Sequence, residues 1–225
     1  MSATAVIATL APAYLLGAMP WSLWVARARG IDLRRVGSGN LGATNVYRQF
    51  GPGLGISVLL LDVGKGSAAA LWGASSPWAE AFPGAATWAG LAAGLAAILG
   101  HVFTPFAGFR GGKGVATTVG AFLALAPLAM GIALAIFTAT LFWSRRVSLG
   151  SLAMAVALPF LLAATATADL RSPLVALATL SSALVIFRHR ANIRRLRAGT
   201  EPPFAIRRGG EPTGSPGNPP KGRQA

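Results

Sequence analysis

The chain has no cysteine, and acidic residues are scarce, with six Asp and Glu among 225 residues. Without cysteine, disulfide bonds, thiolate metal sites and a thioester intermediate on the protein are all excluded. Charged residues make up 12% of the sequence, against about 25% in ordinary soluble domains. Because hydrophobic residues reach 53%, the composition predicts an integral membrane protein.

Basic residues far outnumber the acidic ones: the chain has 20 Lys and Arg residues and a net charge of +14. These basic residues lie between the apolar runs and in the C-terminal region, and no soluble domain is present that would carry a nucleic-acid groove. We therefore expect membrane lipid and anionic small molecules as partners, and no nucleic acid.

Most of the hydrophobic runs approach the ~20 residues that a helix needs to cross a bilayer. They lie near residues 3–26, 53–73, 84–104, 115–144, 147–167 and 173–187. The run 115–144 is too long for one pass, and Pro127 divides it because proline removes a helix hydrogen bond. This division keeps Arg110 and Arg145 on the same side as the basic C-terminal region, in agreement with the positive-inside rule.

The sequence thus predicts an all-α polytopic membrane protein with about seven transmembrane helices, the N-terminus outside and the C-terminus cytoplasmic. The piece 115–126 is short for a full pass, so we expect it to be tilted, buried or partly re-entrant. Residues 1–208 form the predicted membrane-embedded domain. Residues 209–225, rich in Gly and Pro, are predicted to be a disordered cytoplasmic tail.

Two polar segments that contain several glycines interrupt the apolar runs. The first combines glycine with hydroxyl, amide and cationic groups: Gly37, Ser38, Gly39, Asn40, Thr44, Asn45 and the flanking Arg48. The second surrounds a lysine with glycine: Gly111, Gly112, Lys113 and Gly114. Glycine lets successive backbone N–H groups point at one oxyanion, so both segments predict phosphate binding. A capped turn is the alternative for the first segment, and a positive-inside anchor for the second.

Two charged residues, Asp62 and Lys65, lie three positions apart inside an apolar run. Since an isolated charge is costly there, we expect them to pair, with Lys65 also a candidate for neutralising substrate phosphate. His101 ends the next run and is a candidate for substrate binding or for a simple interfacial hydrogen bond.

His189 is the better candidate for a proton acceptor. It lies among arginines, whose charges disfavour the imidazolium form and keep the ring neutral. Asn192, three residues later, is predicted to share its helix face. A basic helix lying on anionic lipid is the alternative for this segment.

Several blocks, in this order and spacing, resemble the bacterial acyl-phosphate:glycerol-3-phosphate acyltransferase family. They are Gly-Ser-Gly-Asn-Leu-Gly-Ala-Thr-Asn-Val at 37–46, Leu-Asp-Val-Gly-Lys-Gly at 61–66, Gly-His-Val-Phe at 100–103, Phe-Arg-Gly-Gly-Lys-Gly-Val-Ala-Thr at 109–117, His-Arg-Ala-Asn-Ile-Arg-Arg-Leu at 189–196 and Ala-Gly-Thr-Glu-Pro at 198–202. The resemblance covers nearly the whole chain. It implies a seven-helix inner-membrane enzyme that transfers a fatty acyl group from acyl phosphate to the 1-hydroxyl of sn-glycerol 3-phosphate, the first step of phospholipid synthesis.

The resemblance also implies roles for the residues named above. His189, Asn192, Ser38 and Lys113 are the catalytic candidates. The predicted substrate-binding residues are Gly37, Gly39, Asn40, Thr44, Asn45, Arg48, Lys65, His101, Gly111, Gly112 and Gly114. Acyl phosphate is already activated, so neither a cofactor nor a metal is expected, and a substrate phosphate oxygen is the alternative to His189 as the base.

An upstream enzyme that makes acyl phosphate is a candidate functional partner. Two other functions remain open at this point. A membrane transporter of a phosphorylated metabolite would also need a basic intramembrane cavity, but it should bind its substrate near the midplane and often contains inverted repeats. A structural anchor for anionic lipid would explain the basic C-terminal segment alone.

Overall fold

The computed structural model describes residues 2–81 and 84–204, and the regular structure in these ranges is helical. Ten α-helices follow one another: α1 (Ala3–Ala18), α2 (Trp21–Arg27), α3 (Ala43–Phe50), α4 (Pro52–Ala74), α5 (Ala85–Val102), α6 (Val115–Leu125), α7 (Pro127–Ser144), α8 (Val147–Thr165), α9 (Ala168–Arg188) and α10 (Arg190–Arg197). The all-α prediction is confirmed. The predicted tail 209–225 lies outside the described residues.

Six helical segments in the described part of the chain are long and apolar enough to cross a membrane: Ala3–Arg27, Pro52–Ala74, Ala85–Ala107, Pro127–Ser144, Val147–Thr165 and Arg171–Arg188. The first of them is interrupted at Met19 and Pro20, which separate α1 from α2. The seventh predicted pass is α6. With 11 residues it extends ~16 Å at 1.5 Å per residue, about half the thickness of a ~30 Å hydrocarbon core.

The short helix α6 lies inside the helix assembly. It packs against α4, α5 and α7, and its residues 117–122 are all buried. Protein therefore covers α6 where a full-length helix would meet lipid, and its ends need not reach both surfaces. Of the three alternatives expected for this segment, the structure shows a buried helix.

Glycine allows α4 and α6 to approach closely. A Cβ at Gly66 of α4 would collide with the carbonyl of Thr117, and a Cβ at Gly120 of α6 would collide with the carbonyl of Val63. Small residues at such contacts are typical of membrane helices, because association there depends on close packing. The crossing fixes the N-terminal end of α6 beside α4, where the polar site lies.

Outside the long helices, residues 31–50 form a compact unit held against the membrane helices. Leu33 and Val46 of this unit are buried with Leu23 of α2 and Val58 of α4. This apolar contact fixes the 37–45 segment beside the N-terminal end of α4, close to where α5 ends and α6 begins.

Candidate active site

Asn45, at the third position of α3, holds the 37–45 segment in its folded shape. It is 2% exposed, and its side-chain amide lies 3.3, 3.2 and 3.2 Å from the carbonyl oxygens of Leu33, Val36 and Asn40. Its Oδ1 accepts a hydrogen bond from the backbone N–H of Ser38 at 3.2 Å. The amide thus fixes the backbone conformation of this loop, and Ser38 stays exposed at its edge.

The glycines of this loop permit its tight backbone conformation. Gly37 and Gly39 have positive φ angles of 59° and 67°, and a Cβ at Gly37 would collide with Asn45 Oδ1. The N–H of Gly39 donates to the carbonyl of Val36 at 3.0 Å. The N–H groups of Ser38 and Gly39 thus both have acceptors within the loop, and anion binding by this loop stays a prediction.

The second loop, 108–114, is held from two sides. On one side, Gly111 N–H donates to Val102 O at 3.0 Å and Gly112 N–H to His101 O at 3.2 Å. On the other side, Arg188 Nη2 donates to the carbonyl of Gly111 at 3.0 Å. The N–H groups of Gly111 and Gly112 thus both have acceptors within the protein, and their anion-binding role stays a prediction.

These two glycines allow the backbone to lie directly against His101. A Cβ at Gly111 would collide with the His101 carbonyl, and one at Gly112 with His101 Nε2. Gly114 has φ +82° and precedes α6 without a side-chain cap. An anion at this loop would therefore depend on the Lys113 side chain and the first N–H groups of α6.

Lys113 is partly buried, and its Nζ donates to Oδ1 of Asn192 at 2.5 Å. Burial lowers the pKa of Lys113 to about 8, an effect that the carboxylate of Glu201 opposes and that nearby arginines reinforce. At neutral pH the ammonium form predominates, so Lys113 presents a positive charge to the site.

His189, between α9 and α10, is 2% exposed. Its Nδ1 lies 2.7 Å from the carbonyl of Val185, which assigns the proton to Nδ1 and leaves a lone pair on Nε2. Burial, followed by the charge of Lys113, lowers the pKa of His189 to about 4. The ring is neutral, as expected, but the cause is burial and Lys113 and not the neighbouring arginines.

Glu201 is the residue that the sequence analysis missed. Its Oε1 accepts hydrogen bonds from Ser148 Oγ and Asn192 Nδ2, both at 2.6 Å, and its Oε2 accepts one from Arg195 Nε at 2.7 Å. Burial alone would raise the pKa of Glu201, but these hydrogen bonds outweigh it and lower the pKa. The available signal was a lone acid directly after an arginine-rich segment.

The expected pair of Asp62 and Lys65 is present within α4, with Nζ and Oδ1 2.8 Å apart. Lys65 Nζ also donates to the carbonyl of Met19 at 3.0 Å. His101 joins this group, because its Nδ1 lies 3.5 Å from Asp62 Oδ1. The three side chains form one buried polar cluster next to the second loop.

A cavity of about 590 Å³ connects these elements. Ten of the predicted site residues line it: Ser38, Asn40, Thr44, Asn45, Arg48, His101, Lys113, Gly114, His189 and Asn192. Gly37, Gly39, Lys65, Gly111 and Gly112 are not part of the lining. The structure thus brings the side chains of four distant sequence blocks to one place, and most of the predicted glycines shape the loops behind them.

The cavity also has an apolar arm between α4, α6, α7 and α8. Its walls include Leu59, Val63, Leu123, Phe137 and Met154. The side chains that α4 contributes near its start are largely exposed, with Ile56 at 50% and Leu60 at 64%. In a membrane these exposed side chains contact lipid, so the arm is open sideways along α4.

The electrostatics of the polar end favour an anion. Arg48 lies on α3; burial lowers its pKa from the ordinary value, while the Glu201 charge opposes that effect. An arginine remains charged at any physiological pH even so. Arg48 and Lys113 thus bring two cations to the same cavity, which the carboxylate of Glu201 also lines.

The chain is similar to known proteins over most of its length. The model that describes the glycerol-3-phosphate acyltransferase family matches residues 7–199. A glycerol-3-phosphate acyltransferase of Geotalea daltonii is 47% identical over 201 residues, which cover 89% of this chain and 98% of that protein. The protein of the same description from Geobacter metallireducens is 51% identical over 202 residues, 88% of this chain and 97% of the relative.

Solved structures agree with these sequence matches. The chain resembles crystal structures of PlsY (YgiH), an integral membrane glycerol 3-phosphate acyltransferase. Its glycerol 3-phosphate form matches with a TM-score of 0.78 and 37% identity, covering 89% of this chain and 96% of that one. The lysophosphatidic acid form matches with a TM-score of 0.78, 34% identity and the same coverage.

Proposed function

Since the chain belongs to the glycerol-3-phosphate acyltransferase family, we propose that its acyl donor is an acyl phosphate and its acceptor the 1-hydroxyl of sn-glycerol 3-phosphate. The products are then lysophosphatidic acid and inorganic phosphate. The observation that carries this proposal is the single cavity that joins a cationic polar end to an apolar arm.

The polar end suits two phosphorylated substrates. Lys113 and Arg48 supply the positive charge that offsets the repulsion between two phosphates. Ser38, Asn40 and Thr44 add hydroxyl and amide groups that orient glycerol 3-phosphate. The fatty chain of the donor occupies the apolar arm, where lipid-facing side chains replace water.

Asn192 acts on Lys113 in this scheme. Its Oδ1 accepts from Lys113 and its Nδ2 donates to Glu201, so both ends of its amide are occupied. We infer that Asn192 holds the lysine ammonium in place. Ser38, exposed at the cavity edge, presents the hydroxyl that helps to orient glycerol 3-phosphate beside this lysine.

The reaction needs no covalent intermediate on the protein. The glycerol oxygen attacks the acyl carbon, the bond between that carbon and the phosphate oxygen breaks, and phosphate leaves with the electron pair. The hydroxyl proton is transferred to a phosphate oxygen or to His189. Holding both substrates in one site supplies much of the rate, because the step becomes effectively unimolecular.

The proton acceptor follows from the state of His189. A pKa of about 4 makes its Nε2 a weak base, whereas phosphate has a second pKa of about 6. We propose that His189 accepts a hydrogen bond from the glycerol hydroxyl and orients it, and that the leaving phosphate takes the proton.

The location of the site follows from the charge pattern. We propose that the protein lies in the bacterial inner membrane with this cavity facing the cytoplasm, because Arg and Lys flank the cavity end of the helices. Both phosphorylated substrates are then supplied from the cytoplasmic side. The donor also requires an upstream enzyme that makes acyl phosphate.

The test is a donor comparison with purified protein in detergent. Palmitoyl phosphate or palmitoyl-CoA is supplied with glycerol 3-phosphate, and phosphate and lysophosphatidic acid are measured together. We expect equal amounts of both products from palmitoyl phosphate only. Turnover with palmitoyl-CoA alone would overturn the donor. Turnover in detergent needs no gradient, which separates this function from transport.

Variants in one loop test the site. We expect Lys113→Ala to lower kcat/KM by about 100-fold, a typical loss for one charge-stabilising donor. Arg110→Ala is the matched control, since Arg110 is exposed in the same loop and outside the cavity lining. Equal effects of the two variants, with both proteins folded, would remove Lys113 from the mechanism.

A further inference from the structure

The buried cluster of Asp62, Lys65 and His101 borders the cavity, which Asp62 and His101 help to line, but the scheme above gives it no chemical step. Asp62 and Lys65 are 3% and 4% exposed and His101 8%, so three ionisable side chains lie together within the membrane helices. Such groups are costly in this environment and usually have a specific purpose. The cluster lies directly beside the 108–114 loop, which indicates that it supports this loop.

His101 supports that loop with both its backbone and its ring. Its carbonyl accepts a hydrogen bond from the N–H of Gly112 at 3.2 Å, and its Nε2 lies so close to Gly112 that a Cβ there would collide with it. The residue after Gly112 is Lys113. The His101 ring therefore packs directly against the backbone that leads into the lysine.

Asp62 fixes the ring of His101. The carboxylate lies 3.5 Å from Nδ1, an arrangement that favours a proton on Nδ1 and orients the imidazole. Lys65 Nζ lies 2.8 Å from Asp62 Oδ1 and neutralises its charge. The same ammonium donates a further hydrogen bond to the carbonyl of Met19. The ion pair thus keeps a charged orienting group in a place where a lone carboxylate would be unstable.

We propose that Asp62 and His101 are positioning residues for Lys113. Asp62 orients the His101 ring, the ring supports Gly112 from the α5 side, and Arg188 holds the carbonyl of Gly111 from the α9 side. Together they place the lysine ammonium within reach of Asn192 and of substrate phosphate. This inference depends on the role given to Lys113 under the proposed function.

The test replaces the ion pair by apolar residues of similar size, Asp62→Leu with Lys65→Met. Losing both charges together avoids an unpaired charge, and such replacements often leave stability unchanged or improved. The first readout is kcat/KM with glycerol 3-phosphate. The second is the rate at which acetic anhydride labels Lys113, measured by mass spectrometry with Lys221 as the internal standard.

We expect the folded double variant to lose about 10-fold in kcat/KM, in line with the loss of a polar contact to a charged site. Labelling of Lys113 relative to Lys221 should change by about 3-fold or more, because the pKa and exposure of the ammonium both depend on its placement. Wild-type values for either readout would overturn the proposal.

If the double variant does not fold, the variant His101→Asn tests the proposal instead, with kcat/KM and Lys113 labelling measured in the same way. The asparagine amide keeps a donor towards Asp62 and removes the ring that supports Gly112. Ser182→Ala is the matched control, because it deletes a buried hydrogen bond to the carbonyl of Ala155 outside the cavity lining. It should lower the melting temperature and leave Lys113 labelling unchanged. Labelling needs no acyl donor, so an error in the proposed donor would not affect it.

Discussion

The charge of Lys113 changes at a pH only slightly above neutrality. Burial lowers the pKa of Lys113 to about 8, so the ammonium is lost as the pH rises through that value. We expect kcat/KM for glycerol 3-phosphate to fall about 10-fold for each pH unit above about 8, as for the loss of one required proton. The measurement is a pH profile from neutral to pH 10.

The variant Lys113→Arg identifies the group responsible. Arginine stays protonated at every pH of the profile, so the decline above pH 8 should disappear or move to higher pH, even where the variant turns over more slowly. A basic limb that keeps its position in this variant would assign it to another group.

Glu201 joins three donors through one carboxylate. Glu201→Ala leaves Ser148, Asn192 and Arg195 without their acceptor, and we expect a loss of about 1–3 kcal/mol in the free energy of unfolding. Activity should also fall, because Glu201 then no longer orients the Asn192 amide that accepts a hydrogen bond from Lys113. Thermal melting and kcat/KM are measured together.

Glu80→Gln is the matched control for that experiment, since Glu80 is an exposed acid in the turn before α5. Its melting temperature and activity should equal those of the wild type. Equal losses in Glu201→Ala and Glu80→Gln would show that net charge, and not the network around Glu201, determines the effect.

For individual residues, the sequence predicted which side chains lie at the site better than it predicted which contacts they make. Ser38, Lys113 and His189 were predicted at the site and line the cavity. The link between Lys113 and Asn192 joins residues 79 positions apart, and no local pattern reports such a contact. The glycines next to Lys113 were predicted to bind phosphate, and the structure adds a packing reason for them, since Gly111 and Gly112 lie directly against His101.

Among the helices, the contact between α4 and α6 has the least room for change. We expect Gly66→Ala to lower the melting temperature and activity, because the added methyl group would collide with the carbonyl of Thr117. Overpacking of this kind typically costs about 1–3 kcal/mol. Melting in detergent and turnover provide the measurement.

Gly64→Ala is the control on the same helix. A Cβ at Gly64 meets nothing within 4 Å, so this variant should keep wild-type stability or gain slightly from alanine's better helix propensity. If Gly64→Ala were as harmful as Gly66→Ala, the effect would belong to α4 itself and not to its contact with α6.

Proline explains both the success and the failure of the helix predictions. Pro127 was expected to divide the long run, and α6 and α7 separate there, at Leu125 and Pro127. Pro20 divides α1 from α2 by the same physical cause, but the run 3–26 was treated as one helix. The run 3–26 has the ordinary length of one membrane span and gave no reason to expect a break, whereas the run 115–144 is too long for one span.

For the whole molecule, orientation is the prediction with the simplest test, because the natural chain has no cysteine. Ser172→Cys, near the start of α9, and Ala198→Cys, after α10, are both exposed positions. In intact cells we expect a membrane-impermeant maleimide to label Ser172→Cys and to label Ala198→Cys only after the membrane is opened.

Labelling after solubilisation controls for reactivity, since both cysteines should then react fully. The reverse pattern in intact cells would place the cavity on the outer face and would contradict the positive-inside argument. Labelling of both positions from outside would show that the number of passes between them is even.

The open side of the apolar arm along α4 has a consequence for kinetics. A donor that enters through this opening arrives by diffusion within the bilayer, so its effective concentration is a surface density and not a concentration in water. Adding inert lipid or detergent at constant total donor dilutes that surface and should slow turnover, while glycerol 3-phosphate still follows its aqueous concentration. We therefore expect the rate to depend on the surface density of the donor in the membrane and on the aqueous concentration of glycerol 3-phosphate, although both bind in one cavity.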